Sequence, residues 1–138
     1  MTTEDIINAL SDEKIQEFPQ EYFLQDDIDV EGYLRSLLDE RGLKIRDLIP
    51  KLNYERTYTY QLFSGHRDPT RIFVFRLAVV LGLGFEQTQR TLFITGNKLL
   101  YAKVRYDAAI IFCLQHSYDV QKTEDLLKEI GEESLFFP

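Results

Sequence analysis

Few residues of this chain could break or make bonds. His66 and His116 are its two histidines, far apart in sequence, and with the lone Cys113 they make up no metal-ligand set. Cys113 lies inside an apolar stretch, where a thiol is inert core rather than nucleophile. Asp26, Asp27 and Asp29 read as a solvated acidic run rather than a cation site. Gly82-Leu83-Gly84 stops a helical pattern and follows no strand, so it is no phosphate loop. The expectation is a non-enzyme with no cofactor and no metal. A different chemistry lies between residues 55 and 63. There Thr59 and Leu62 share one face of a helical pattern, leaving Arg56, Thr57 and Gln61 to another. A guanidinium can bond O6 and N7 of guanine together, and a Gln amide can do the same to N6 and N7 of adenine.

Three helical patterns must position those residues. The first covers 45–52, with Leu48, Ile49 and Leu52 at helical spacing. Asn53 follows, a residue that tolerates the left-handed backbone of a sharp turn. The second covers 55–63 and is closed by Gly65. Asp68 and Pro69 are expected to open the third, as N-cap and first-turn residue, and Gly82 to stop it after Leu81.

Two short helices joined by a tight turn, with a third across them, resemble the helix-turn-helix domain of the phage-repressor-like (XRE) family. The matching residues are Gly42-Leu43, Asp47-Leu48, the run from Tyr58 to Gln61, Ser64-Gly65, Arg67, Pro69-Thr70-Arg71 and Leu81-Gly82-Leu83. The run from Gln61 to Arg71 is the most specific. Further on, the run from Glu86 to Arg90, Gly96, the run from Asp107 to Ile111 and Gly131-Glu132-Glu133 look like the tail of a bacterial subfamily of such regulators. The resemblance implies a recognition helix in the DNA major groove, with Arg56, Thr57 and Gln61 at the base-reading positions. Arg67 and Arg71 flank the Gly65 turn and the next helix start, and with Lys44 they are the expected phosphate contacts. His66 reads as a loop residue. Three positions depart from the pattern. Lys44 replaces the usual Ser or Thr cap, Ile45 stands where a polar phosphate contact is common, and Pro50 interrupts a helix. Of the crowded Tyr54, Tyr58 and Tyr60, at least two are expected to pack.

The charge pattern agrees with that reading, although the net charge of −7 over 138 residues at first opposes it. Residues 1–40 carry two basic and twelve acidic side chains, residues 41–105 twelve and four, and residues 106–138 two and seven. The middle is therefore +8 between acidic flanks of −10 and −5. Phosphate meets the local field rather than the chain average. Hydrophobic content of 44% argues for one real core instead of disorder. No apolar run is long enough to span a membrane, the acidic start is no signal peptide, and a lone cysteine fits a reducing cytoplasm.

The resulting expectation is an all-α protein in three parts. Residues 1–29 form an acidic helical arm, with Thr3 and Ser11 as caps and Pro19 as a stop. Residues 30–96 form a lambda-repressor-like five-helix domain, its outer helices over 30–41 and 85–94. Residues 97–138 add a helical pair over 104–116 and 120–130, the latter capped by Asp119. The stretch 108–114 is apolar all round, and Leu135-Phe136-Phe137 is an apolar tail. Both suggest a core-packed extension or a homodimer surface. The expected function is a DNA-binding transcriptional regulator, a repressor in family terms, dimeric on a palindromic duplex site. The alternative is an antitoxin-like or adaptor module whose acidic ends engage a basic protein partner.

Overall fold

Asp29 opens the first helix by accepting a hydrogen bond from the Gly32 amide at 3.2 Å. The computed structural model describes residues 29–138. The expected arm, apart from Asp29, lies outside the described residues. Among those described, the chain is all-helical: α1 (Val30–Asp39), α2 (Ile45–Leu52), α3 (Arg56–Ser64), α4 (Arg71–Leu81), α5 (Phe85–Ile94), α6 (Arg105–Gln115) and α7 (Val120–Glu129).

Most helix ends follow local chemistry. The Lys44 side chain has no acceptor with which to cap α2. Asp47 compensates by reaching back to the Lys44 amide at 2.8 Å. α2 passes through Pro50 without interruption, with Pro50 and Arg46 both exposed to solvent. Asn53 adopts the left-handed conformation at φ 57°, and Gly65 closes α3 at φ 81°, where a Cβ would be strained. The Asp119 carboxylate caps α7 through the Lys122 amide at 2.8 Å. One expected cap moves. Asp68 does not open α4; the Thr70 hydroxyl does, accepting from the Phe73 amide at 3.1 Å. The residue before a proline avoids the helical region. The Pro69 carbonyl is also held outside the helix by the Asn97 amide at 2.9 Å.

The core is continuous from Leu34 to Phe136. α4 runs through its centre, with every residue from Phe73 to Val79 buried, and packs on α2, α5, α6 and α7. Two polar links tie the 97–104 connection to the first five helices. The buried Gln89 amide donates to the Leu100 carbonyl at 3.0 Å and accepts from the Leu100 amide at 2.7 Å. The Asn97 amide adds the bond to Pro69. α6 is buried throughout 107–114, against its own chain. Leu135 and Phe136 are 1% and 0% exposed for the same reason. The two apolar features that suggested a dimer surface are thus spent on the internal core, and of the tail aromatics only Phe137 is exposed. No described helix is long and apolar enough to cross a membrane.

Candidate nucleic-acid interface

α3 is anchored from within and bare outside. Thr59, Leu62 and Phe63 are buried, and Phe63 meets Phe73 of α4 edge-on at 5.5 Å. The Thr59 hydroxyl is spent on the Glu55 carbonyl at 2.9 Å. Tyr54 and Tyr58 pack on each other at 5.2 Å, both half-buried. The outward side carries Arg56, Thr57 and Tyr60, all exposed, and the half-buried Gln61. Three of these are the expected base readers. Tyr60 joins them because it is the one tyrosine of the three that the core does not take.

The outward residues are organised in two small groups. In the first, the Arg56 guanidinium lies 5.6 Å from the Tyr60 ring centroid. That contact pre-orders a long side chain without consuming its donors. Tyr60 shares a surface depression with Arg35, Lys44 and Arg46, and with one opposing carboxylate, Asp39. The start of α2 and the outer face of α3 therefore form one cationic surface. Arg35 and Arg46 were not singled out by sequence, because their position beside α3 follows only from how α1 and α2 pack. Arg35 is partly offset by Glu31 at 3.4 Å.

In the second group, Arg67 Nε donates to Gln61 Oε1 at 2.6 Å, and its guanidinium lies 5.3 Å from the Tyr58 ring. An expected base reader and an expected phosphate contact are thus directly bonded. The bond orients the Gln61 amide with its NH2 free to donate. The turn beneath is held by the Gln61 carbonyl, which accepts from the His66 and Arg67 amides at 3.1 and 3.2 Å. His66 bonds only locally, through Ser64 Oγ at 2.7 Å.

Arg71 belongs elsewhere. Its guanidinium makes a bidentate pair with Asp107 at 3.0 and 2.7 Å and donates to the Lys98 and Leu99 carbonyls at 2.8 and 2.9 Å. The Phe75 ring lies beneath it at 4.8 Å. Those bonds engage the donors a phosphate would need, so the expected phosphate contact is corrected to an internal staple between α4 and α6. Arg76 is internal too, 4% exposed, so the basic middle presents fewer free cations than its +8 suggests. Cys113 is fully buried, and burial raises its thiol to about 11, which keeps it protonated at neutral pH. Among the described residues no group of three His, Cys, Asp or Glu side chains converges on a metal position. No protein-family model, no curated protein and no solved structure matches the chain.

Proposed function

We propose that the protein is a sequence-specific DNA-binding transcriptional regulator of the phage-repressor-like kind, with α2 and α3 as its helix-turn-helix. The observation that carries this reading is the two-sided α3. Its inner face is locked into the core, while Arg56, Thr57, Tyr60 and Gln61 project beside the cationic start of α2. In this reading α3 enters the major groove, Arg56, Thr57 and Gln61 meet base edges, and Lys44, Arg46 and Arg67 meet phosphates. Two copies on a palindromic site would place two such helices about 34 Å apart, one turn of DNA. Their contact would draw on exposed apolar residues such as Tyr101 and Val104 rather than on the buried α6.

Selection from a random duplex pool, followed by titration of the retained sequence at several salt concentrations, tests this. With about three to five phosphates neutralised, log K falls against log salt with a slope of about −2.7 to −4.5. A flat dependence, or no retention at low salt, overturns the reading in favour of a protein-interaction module.

A further inference from the structure

Residues 134–137 are held in an unusual way. They belong to no helix, yet the main-chain groups of Leu135 and Phe136 are all bound, and all by side chains. Glu124 Oε1 of α7 accepts from the Leu135 and Phe136 amides at 3.1 and 2.7 Å. Arg76 Nε of α4 donates to the Leu135 carbonyl at 2.8 Å. Asn53 Nδ2, in the α2–α3 turn, donates to the Phe136 carbonyl at 2.6 Å. Glu124 also accepts from the Ser134 hydroxyl, which in turn accepts from the Phe137 amide at 2.9 Å. The Phe136 ring lies beside the Arg76 guanidinium at 5.7 Å and is fully buried. Buried backbone outside helix and sheet must find its partners in side chains or water. This one is bent at Leu135 and Phe136, so that one carboxylate oxygen reaches both amides, and it is held as a receptor holds a peptide: carboxylate to amides, guanidinium and carboxamide to carbonyls.

We propose that the cleft between the α2–α3 turn, α4 and α7 is a peptide-binding site for a bent apolar segment of the Ser-Leu-Phe type, and that residues 134–137 are its cis-bound ligand. Arg76 makes the site more than a seat. The same guanidinium donates to the Leu52 and Asn53 carbonyls at 3.0 and 3.2 Å. Occupancy of the cleft therefore gives Arg76 Nε and the Asn53 side chain their acceptors, beside the turn into α3. The short 131–133 link gives the cis segment an effective concentration of about millimolar, so a dilute free peptide cannot displace it from the intact chain.

The test is binding of a fluorescent Glu-Glu-Ser-Leu-Phe-Phe-Pro peptide, matching residues 132–138, to full-length Phe136→Ala. Circular dichroism first establishes that this chain keeps its helices. The expected result is saturable binding to Phe136→Ala and none to the unaltered chain, with affinity reduced about tenfold or more by adding Glu124→Gln or by replacing the first Phe of the peptide with Ala. A folded Phe136→Ala chain that ignores the peptide overturns the proposal. So does equal binding by the unaltered chain, or by the Glu124→Gln double variant. If Phe136→Ala does not fold, amide exchange in the unaltered chain decides. Leu135 and Phe136 amides exchanging at least about tenfold faster than those of α4 mark a separable segment, and a common rate overturns the proposal. Neither readout involves DNA, so this site stands or falls apart from the function proposed above.

Discussion

At the scale of single residues, the outer face of α3 separates into groups with different jobs. Arg56 rests on Tyr60 with its donors exposed, and Gln61 is steered by Arg67. If α3 reads bases, Arg56→Ala should lose about 1–3 kcal/mol against the preferred base and relax the preference at one position. Arg67→Ala should act twice, weakening binding on all sequences and loosening Gln61, so its preference loss should overlap that of Gln61→Ala. Titrating both single variants and the double variant on cognate and scrambled duplexes checks this. Strict additivity of the two changes would separate residues that the structure bonds together. The outward placement of Arg56, Thr57 and Gln61 was legible because helical spacing sets them opposite Thr59 and Leu62, whereas the base-reading role expected of them came from the resemblance alone. Arg71 was not legible. Its partner Asp107 lies 36 positions away, and nothing local distinguishes an arginine awaiting phosphate from one awaiting a carboxylate.

Among elements, the boundary between α5 and α6 was the hardest to read and is the most polar. Gln89 and Asn97 make paired or bridging amide bonds, and Arg71 fastens the start of α4 to Asp107 at the start of α6. The Asp107 side chain is 2% exposed, against 27% for Arg71. Removing the arginine leaves a buried carboxylate with the Tyr101 amide at 2.9 Å as its remaining described donor. Arg71→Ala should therefore cost about 3–5 kcal/mol of stability. Urea unfolding measures it. Asp107→Asn added to Arg71→Ala should recover part of the loss, since an amide is less costly to bury than an unpaired charge. The helix spans themselves were legible from apolar spacing and caps, with Ile45–Leu52 and Phe85–Ile94 read to the residue. The cap that moved, from Asp68 to Thr70, depended on what the Pro69 carbonyl would bond, and that acceptor pairs with Asn97 from a distant segment.

For the whole molecule, one core unites segments that the sequence divided. The apolar stretch 108–114 and the tail at 135–137 offered two destinations, another copy or their own chain. A sequence carries the amount of apolar surface but not its address. Because that surface is internal, the core contains weak acids that are neutral only while protonated. Burial pushes the Cys113 thiol from its ordinary value near 9 up to about 11. Burial also raises Tyr54, opposed by Arg76, and raises Tyr106, reinforced by Glu124, Glu133 and Glu132. In the unfolded chain these groups ionise earlier. Between those two pH values the unfolded state binds fewer protons than the native one, so stability falls as pH rises. The thiol's share of the stability is fully present below pH about 9, and about 2–3 kcal/mol of it is lost by pH about 11. Urea midpoints measured from pH 7 to 11 should decline, and Cys113→Ala should shallow the decline above pH about 9. An unchanged slope would mean that the native thiol ionises as readily as the unfolded one.

The clasp on the α2–α3 turn also sets a clock. Asn53 and Phe136 are 83 positions apart, and the Phe136 carbonyl is the acceptor of the Asn53 side chain. At about 5–20 residues per second of synthesis, roughly 4–17 seconds separate the making of the turn from the making of the segment that fastens it. Throughout that interval α2 and α3 emerge with Arg76 and Asn53 lacking their distant acceptors. The motif that faces outward in the finished molecule is thus among the last parts of it to mature. A nascent chain therefore carries α3 for seconds before the Asn53 side chain at its base has its acceptor.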